Sequence, residues 1–167
     1  MDDAPRLLII WHSQTGACEQ AARALAEAAA AAEPQLVVDL RHADAADAEA
    51  VLACSAVVIV AAENLAALSG RIKDFFDRSY YALLDRSQGL PWASVICAGS
   101  DGDAAQRQLD RIALGLRWRR VAEPLRLMMA AQTPAAILAA KVLSAPQRVQ
   151  CEELGTALAG ALAMRLY

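Results

Sequence analysis

Continuous apolar runs rich in β-branched residues recur at 7–11 (LLIIW), 57–61 (VVIVA) and 93–98 (ASVICA), the pattern of strands covered on both faces. Two weaker runs, 36–40 (LVVDL) and 121–127 (VAEPLRL), suit sheet edges, the second because Pro124 cannot complete a central ladder. Between the strands the period changes to that of a helix. In GRIKDFFDRSYYALL, residues 70–84, Ile72, Phe75, Phe76, Ser79, Tyr80 and Leu83 fall on one face. Lys73 with Asp77 and Asp74 with Arg78 form opposite-charge i,i+4 pairs on the other. Residues 17–32 repeat the design with a small inner face of Cys18, Ala21, Ala22, Leu25 and Ala29. Further helices are predicted at about 45–53, 104–116 and 146–164, the last opened by Ser144 and Gln147 at capping-box spacing.

Five strands alternating with five helices predict an α/β domain with a parallel sheet between two helical layers, because each right-handed crossover needs a helix. With the second and fifth strands at the edges, the five-stranded order is 2-1-3-4-5, and residues 1–167 form a single domain. The six-stranded dinucleotide-binding order needs a strand this chain lacks. The switch point then lies between the first and third strands, where ligands bind at the carboxyl ends. Three loops meet there, at 12–17, 62–69 and 99–103.

Charge narrows the partners. A net charge of -3 supplies no basic face for a polyanion, which argues against nucleic acid. The start, MDDAPR, and the short apolar run behind it lack the charge and length of a signal peptide, and no apolar tract is long enough to span a bilayer. Cys18, Cys54, Cys97 and Cys151 are far apart, with no CxxC pair and only His12 and His42 to join them. Neither a metal site nor a disulfide framework is expected, and the thiols suit a reducing cytoplasm.

The first loop carries the clearest chemistry. Ser13 and Thr15 offer hydroxyls and Gly16 permits close backbone approach where a helix presents unpaired N–H groups, a combination suited to phosphate. Simple helix capping by Ser13 or Thr15 is the alternative. There is no GxxxxGK[ST], and no GxGxxG after the first strand, so a nucleoside triphosphatase is disfavoured. Trp11 and His12 read mainly as core and rim, Tyr80 as packing, and Asp74 and Asp77 as a solvated helix side. Ser13 lacks a nucleophile elbow. The apolar segment 128–143, MMAAQTPAAILAAKVL, either packs across the last strand or forms a subunit contact in a homo-oligomer.

SQTGAC, residues 13–18, resembles the S-x-T-G-x-T phosphate loop of flavodoxins and flavodoxin-like FMN reductases. AENLAALSGRIKDFFDRSYY, residues 62–81, is similar to the segment that in such proteins reads PEN, a variable stretch, then SG and LKDFFDR. A looser similarity runs through PWASVICAGSDG and RQLDRIALGLRW to the final helix. The resemblance implies a flavodoxin-like three-layer sandwich and a bound FMN. By matching position, Ser13, Gln14, Thr15, Gly16, Ala17 and Cys18 would hold the phosphate. Glu63, Asn64, Leu65 and Ser69, with Gly99, Ser100, Asp101 and Gly102, would border the ring. Cys18 stands where the pattern has a second threonine and is a weaker donor. Ala62 stands where proline is expected, and no aromatic residue lies between Ala62 and Gly70.

Three readings remain open. The first is an NAD(P)H-dependent oxidoreductase reducing FMN, a quinone or another small acceptor, with no side-chain catalyst because the flavin would carry the electrons. The second is an electron-transfer flavodoxin serving redox partner proteins, which the weak net charge disfavours. The third is a flavodoxin-like protein without FMN.

Overall fold

The computed structural model describes residues 4–167. Strands β1 (Arg6–Trp11), β2 (Val37–His42), β3 (Ala56–Asn64) and, after the short β4 (Ala67–Leu68), β5 (Pro91–Ala98) form the body of the sheet. The fifth strand is split into β6 (Arg119–Arg120) and β7 (Leu125–Met128), both parallel to β5. Pro124 lies in the gap, as a residue that cannot donate to the ladder requires. The sheet order is β2-β1-β3-β5-β6, with β7 continuing the edge beside β5. This is the expected 2-1-3-4-5 arrangement once β4, a two-residue return strand antiparallel to β3, is set aside. That small hairpin is not visible in the hydrophobic pattern.

Helices α1 (Ala17–Ala32), α2 (Ala48–Leu52), α3 (Gly70–Leu83), α4 (Asp103–Gly115), α5 (Pro134–Leu138) and α6 (Ala145–Ala163) complete the chain. Alternate strand residues feed two separate cores. Leu7, Ile9, Val58, Val60 and Val95 pack beneath α1 and α6, while Leu8, Ile10, Val57, Ile59 and Ile96 pack beneath α2, α3 and α4. Because both faces are covered, the central strands tolerate few polar positions, which is why they read as unbroken apolar runs. Tyr80 is more open than its place on the apolar face predicts, stacking edge-on with the exposed Tyr81. Among the described residues no helix is long and apolar enough to cross a membrane.

The capping box at Ser144 and Gln147 forms as expected. Beyond it, α6 lies unusually close to α1. A Cβ added at Gly155 would sit 2.2 Å from the Leu25 carbonyl oxygen, so the two helix backbones touch there. The alanine-rich inner face of α1 serves this contact as well as the sheet. Gly155→Ala is expected to cost about 3 kcal/mol or more, the upper end of overpacking penalties, because the obstacle is backbone. Chemical denaturation of wild type and variant measures this directly.

Candidate functional site

The carboxyl ends of β1, β3 and β5 open onto a cleft of about 660 Å³. The first loop lines it through Ser13, Gln14, Thr15, Ala17 and Cys18, the second through Glu63, Asn64 and Leu65, and the third through Gly99 and Ser100. Gly16, between Thr15 and Ala17, is the N-cap of α1, in the left-handed region at φ 101. Its N–H donates to Ser13 Oγ at 3.0 Å. Among the described residues, the next three N–H groups, of Ala17, Cys18 and Glu19, have no hydrogen-bond partner. A buried helix start thus offers three donors to whatever occupies the cleft.

Besides Gly16, which lies between two lining residues, three of the sequence candidates lie outside the cleft wall. Ser69 is fully buried at the start of α3, on the opposite face of the sheet, where its hydroxyl meets His12 Nδ1 at 3.0 Å. Asp101 accepts from the Asp103 N–H, and Gly102 is packed against Ala98 and Ile96. Glu63 lines the cleft, yet its two carboxylate oxygens accept from the N–H groups of Gly102 and Ala105 at 3.3 and 3.0 Å. It therefore caps α4 and ties the second loop to the third.

A fourth wall was not legible in the sequence. Residues 129–143 cross the carboxyl end of the sheet as a strap, and Met129, Ala131, Ile137 and Lys141 of this segment line the cleft. One end is fastened by the Ala131 N–H to the Gly99 carbonyl at 3.1 Å. The approach is so close that a Cβ at Gly99 would lie 2.7 Å from the Ala131 oxygen. The other end is fastened by the Lys141 N–H to the Thr15 carbonyl at 2.7 Å. Gln20 reinforces it, donating from Nε2 to the Gly16 and Lys141 carbonyls and accepting the Leu143 N–H at Oε1. Segment 128–143 was expected to pack across the last strand or to join subunits; within this chain it closes the cleft.

The second loop turns tightly, with Asn64 opposite Ala67 and both intervening residues at positive φ, Leu65 at 52 and Ala66 at 57. A two-residue hairpin of this hand favours Asn-Gly, so Leu-Ala costs about 1–3 kcal/mol per residue. Leu65 is fully exposed at the tip, while Asn64 donates to Gln14 Oε1 at 2.8 Å across the mouth. No aromatic side chain lines the cleft among the described residues; its apolar surface is aliphatic.

Cys18 and Cys97 also share this cleft and lie beside each other in its wall. The Cys18 thiol beside it, followed by burial, pushes the Cys97 thiol well above its ordinary range. Burial raises Cys151, near Cys97, to about 12. These cysteines, remote in sequence, are neighbours in the core, and Cys97 and Cys151, held as protonated thiols, are poor nucleophiles. No group of three or more potential ligands that could hold a metal ion occurs among the described residues.

No family model and no curated protein matches this sequence. Solved structures do. A flavodoxin from the domain Archaea superposes with a TM-score of 0.75 at 14% identity, covering 95% of this chain and 99% of that one. Oxidised Flavodoxin 1 from Bacillus cereus gives 0.72 at 17%, covering 90% and 94%. Rubredoxin oxygen:oxidoreductase from Desulfovibrio gigas gives 0.75 at 16%, with 99% of this chain matching 38% of that longer one. The chain has the flavodoxin-like fold.

Two predictions come from this geometry. Replacing Leu65-Ala66 with Asn-Gly is expected to raise the denaturation midpoint, since the new pair adopts the turn without strain; an unchanged or lower midpoint would show the hairpin to be relaxed. The second concerns His12, whose pKa falls below its ordinary 6.5 through burial and the neighbouring His42 ring, with Asp44 opposing and Arg71 adding to the fall. The folded state then binds this proton less well than the unfolded chain, so the stability contribution is complete above pH 6.5 and is lost on acidification toward the lowered value. His12→Gln is expected to flatten the decline in Tm between about pH 7 and pH 5.

Proposed function

We propose that the chain is an FMN-binding oxidoreductase that takes electrons from NAD(P)H and passes them to a small acceptor such as free flavin or a quinone. The observation that carries this reading is the cleft itself, where three N–H groups without partners at the start of α1 face the same space as the second and third loops. The residues fit the cofactor. Its volume of about 660 Å³ lies within the ordinary range for ligand sites. Ser13, Thr15 and the backbone of Ala17 and Cys18 would hold the phosphate, and Asn64, Leu65, Gly99 and Ser100 would border the ring.

Bound FMN would supply the redox chemistry that the side chains lack. The protein's part is to bind, orient and exclude water. Glu63, the one carboxylate lining the cleft among the described residues, is committed to capping α4, so no side-chain acid or base is assigned. The aliphatic lining argues for a ring held by Leu65 and Ile137 rather than by aromatic stacking. A cytoplasmic setting accords with the free thiols.

A second reading, a flavodoxin-type electron carrier, is supported by the near end-to-end superposition on structures titled as flavodoxins. One experiment separates the two. The purified protein is titrated with FMN while absorbance and fluorescence are followed, and NADPH is then added without oxygen. The oxidoreductase is expected to bind FMN and to bleach its visible bands with NADPH or NADH alone. Binding without bleaching would favour the carrier. Absence of binding at about 1 mM FMN would overturn both readings.

A further inference from the structure

Among the described residues, Lys141 is the one cationic side chain that lines the cleft. Its backbone is bonded to the phosphate-loop carbonyl of Thr15, and its own carbonyl accepts from Gln20, so its Cα is fixed beside that loop. Its ammonium is turned onto the strap, donating to the carbonyl oxygens of Ala136, Ile137 and Ala139 at 2.7, 3.0 and 2.6 Å. All three acceptors are neutral, and those of Ala136 and Ile137 belong to the short helix α5.

We propose that Lys141 is the residue that makes this cleft selective for a phosphate monoester. It contributes the positive charge that the Ser13–Cys18 loop itself lacks. The proposal rests on the FMN reading and names how the ligand's phosphate is recognised. An ammonium on neutral carbonyls can exchange one of them for an oxygen of a dianionic phosphate monoester, and the charged acceptor makes the stronger bond. The replacement of the pattern's second threonine by Cys18, a poor donor, removes one hydroxyl from the loop. Lys141 offsets that loss from the adjoining strap. Glu63, the carboxylate in the same lining, is held by the Gly102 and Ala105 N–H groups and forms no ion pair with the lysine, whose ammonium bonds to the strap carbonyls instead.

The test compares FMN, riboflavin and inorganic phosphate on wild type, Lys141→Gln and Lys141→Arg, with affinities read by fluorescence or calorimetry at several salt concentrations. Riboflavin shares the ring and lacks the phosphate. Lys141→Gln is expected to weaken FMN roughly ten- to a hundredfold while leaving riboflavin unchanged, with Lys141→Arg restoring most of the loss. The salt dependence of FMN binding should shrink in Lys141→Gln. Equal losses for both flavins would mean that Lys141 only caps α5, and this would overturn the proposal while leaving the flavin reading intact. Unchanged FMN affinity would do the same. Phosphate binding that depends on Lys141, without binding of either flavin, would uphold the lysine's role and overturn the flavin reading. If neither flavin nor phosphate binds wild type, both are overturned.

Discussion

The cleft depends on a closed ring of ties between four segments that belong to different crossovers. Gln14 accepts from Asn64, Glu63 from Gly102, Gly99 from Ala131, and Thr15 from Lys141. Each such bond contributes only about 1 kcal/mol net. Their arrangement matters more than their sum, because no loop in a closed ring can move without breaking two of them. The strap needs this most. Of residues 129–143 only Leu143 is buried, so the segment has almost no core of its own and is held by hydrogen bonds at its ends. The side chain of Gln20, bonded to Gly16, Lys141 and Leu143, carries one end of that crossing.

Behind the ring stands a rigid base. Backbone contact between α6 and α1 at Gly155 fixes the helix whose first turn presents the free N–H groups. Small residues on α1 allow it to lie close to both the sheet and α6 at once. The first loop therefore projects from a tightly packed helix, so its donor set is preorganised, an arrangement that lowers the entropy cost of binding. Against this rigidity stands the strained Leu65-Ala66 turn, which keeps an aliphatic side chain exposed at the mouth of the cleft.

The chemistry is divided between the two faces of the sheet. On the cleft side, paired thiols, a capped carboxylate and one lysine make a nearly neutral pocket without an evident acid or base. On the other side, His12, Ser69 and His42 form a polar cluster at the ends of β1 and β2. Ser69 shows how this division arises. It follows the cleft hairpin by one residue, yet as the start of α3 it must enter the opposite layer, and its hydroxyl goes with it.

By itself the sequence determined the period of each major element, the strands buried on both faces, the edge position of the strand broken by Pro124, and the capping box of α6. From these the sheet order and the meeting of three loops followed, because parallel crossovers leave few alternatives. Only the tertiary structure decided the rest: the meeting of Cys18 and Cys97 in the cleft wall, the capture of Glu63 by α4, the departure of Ser69, Asp101 and Gly102 from the cleft wall, and the strap that brings Lys141 to Thr15. The physical reason is range. Helical and strand periods arise from residues two to four apart, whereas the bond from Gln20 to Lys141 spans 121 positions and leaves no local pattern in the chain.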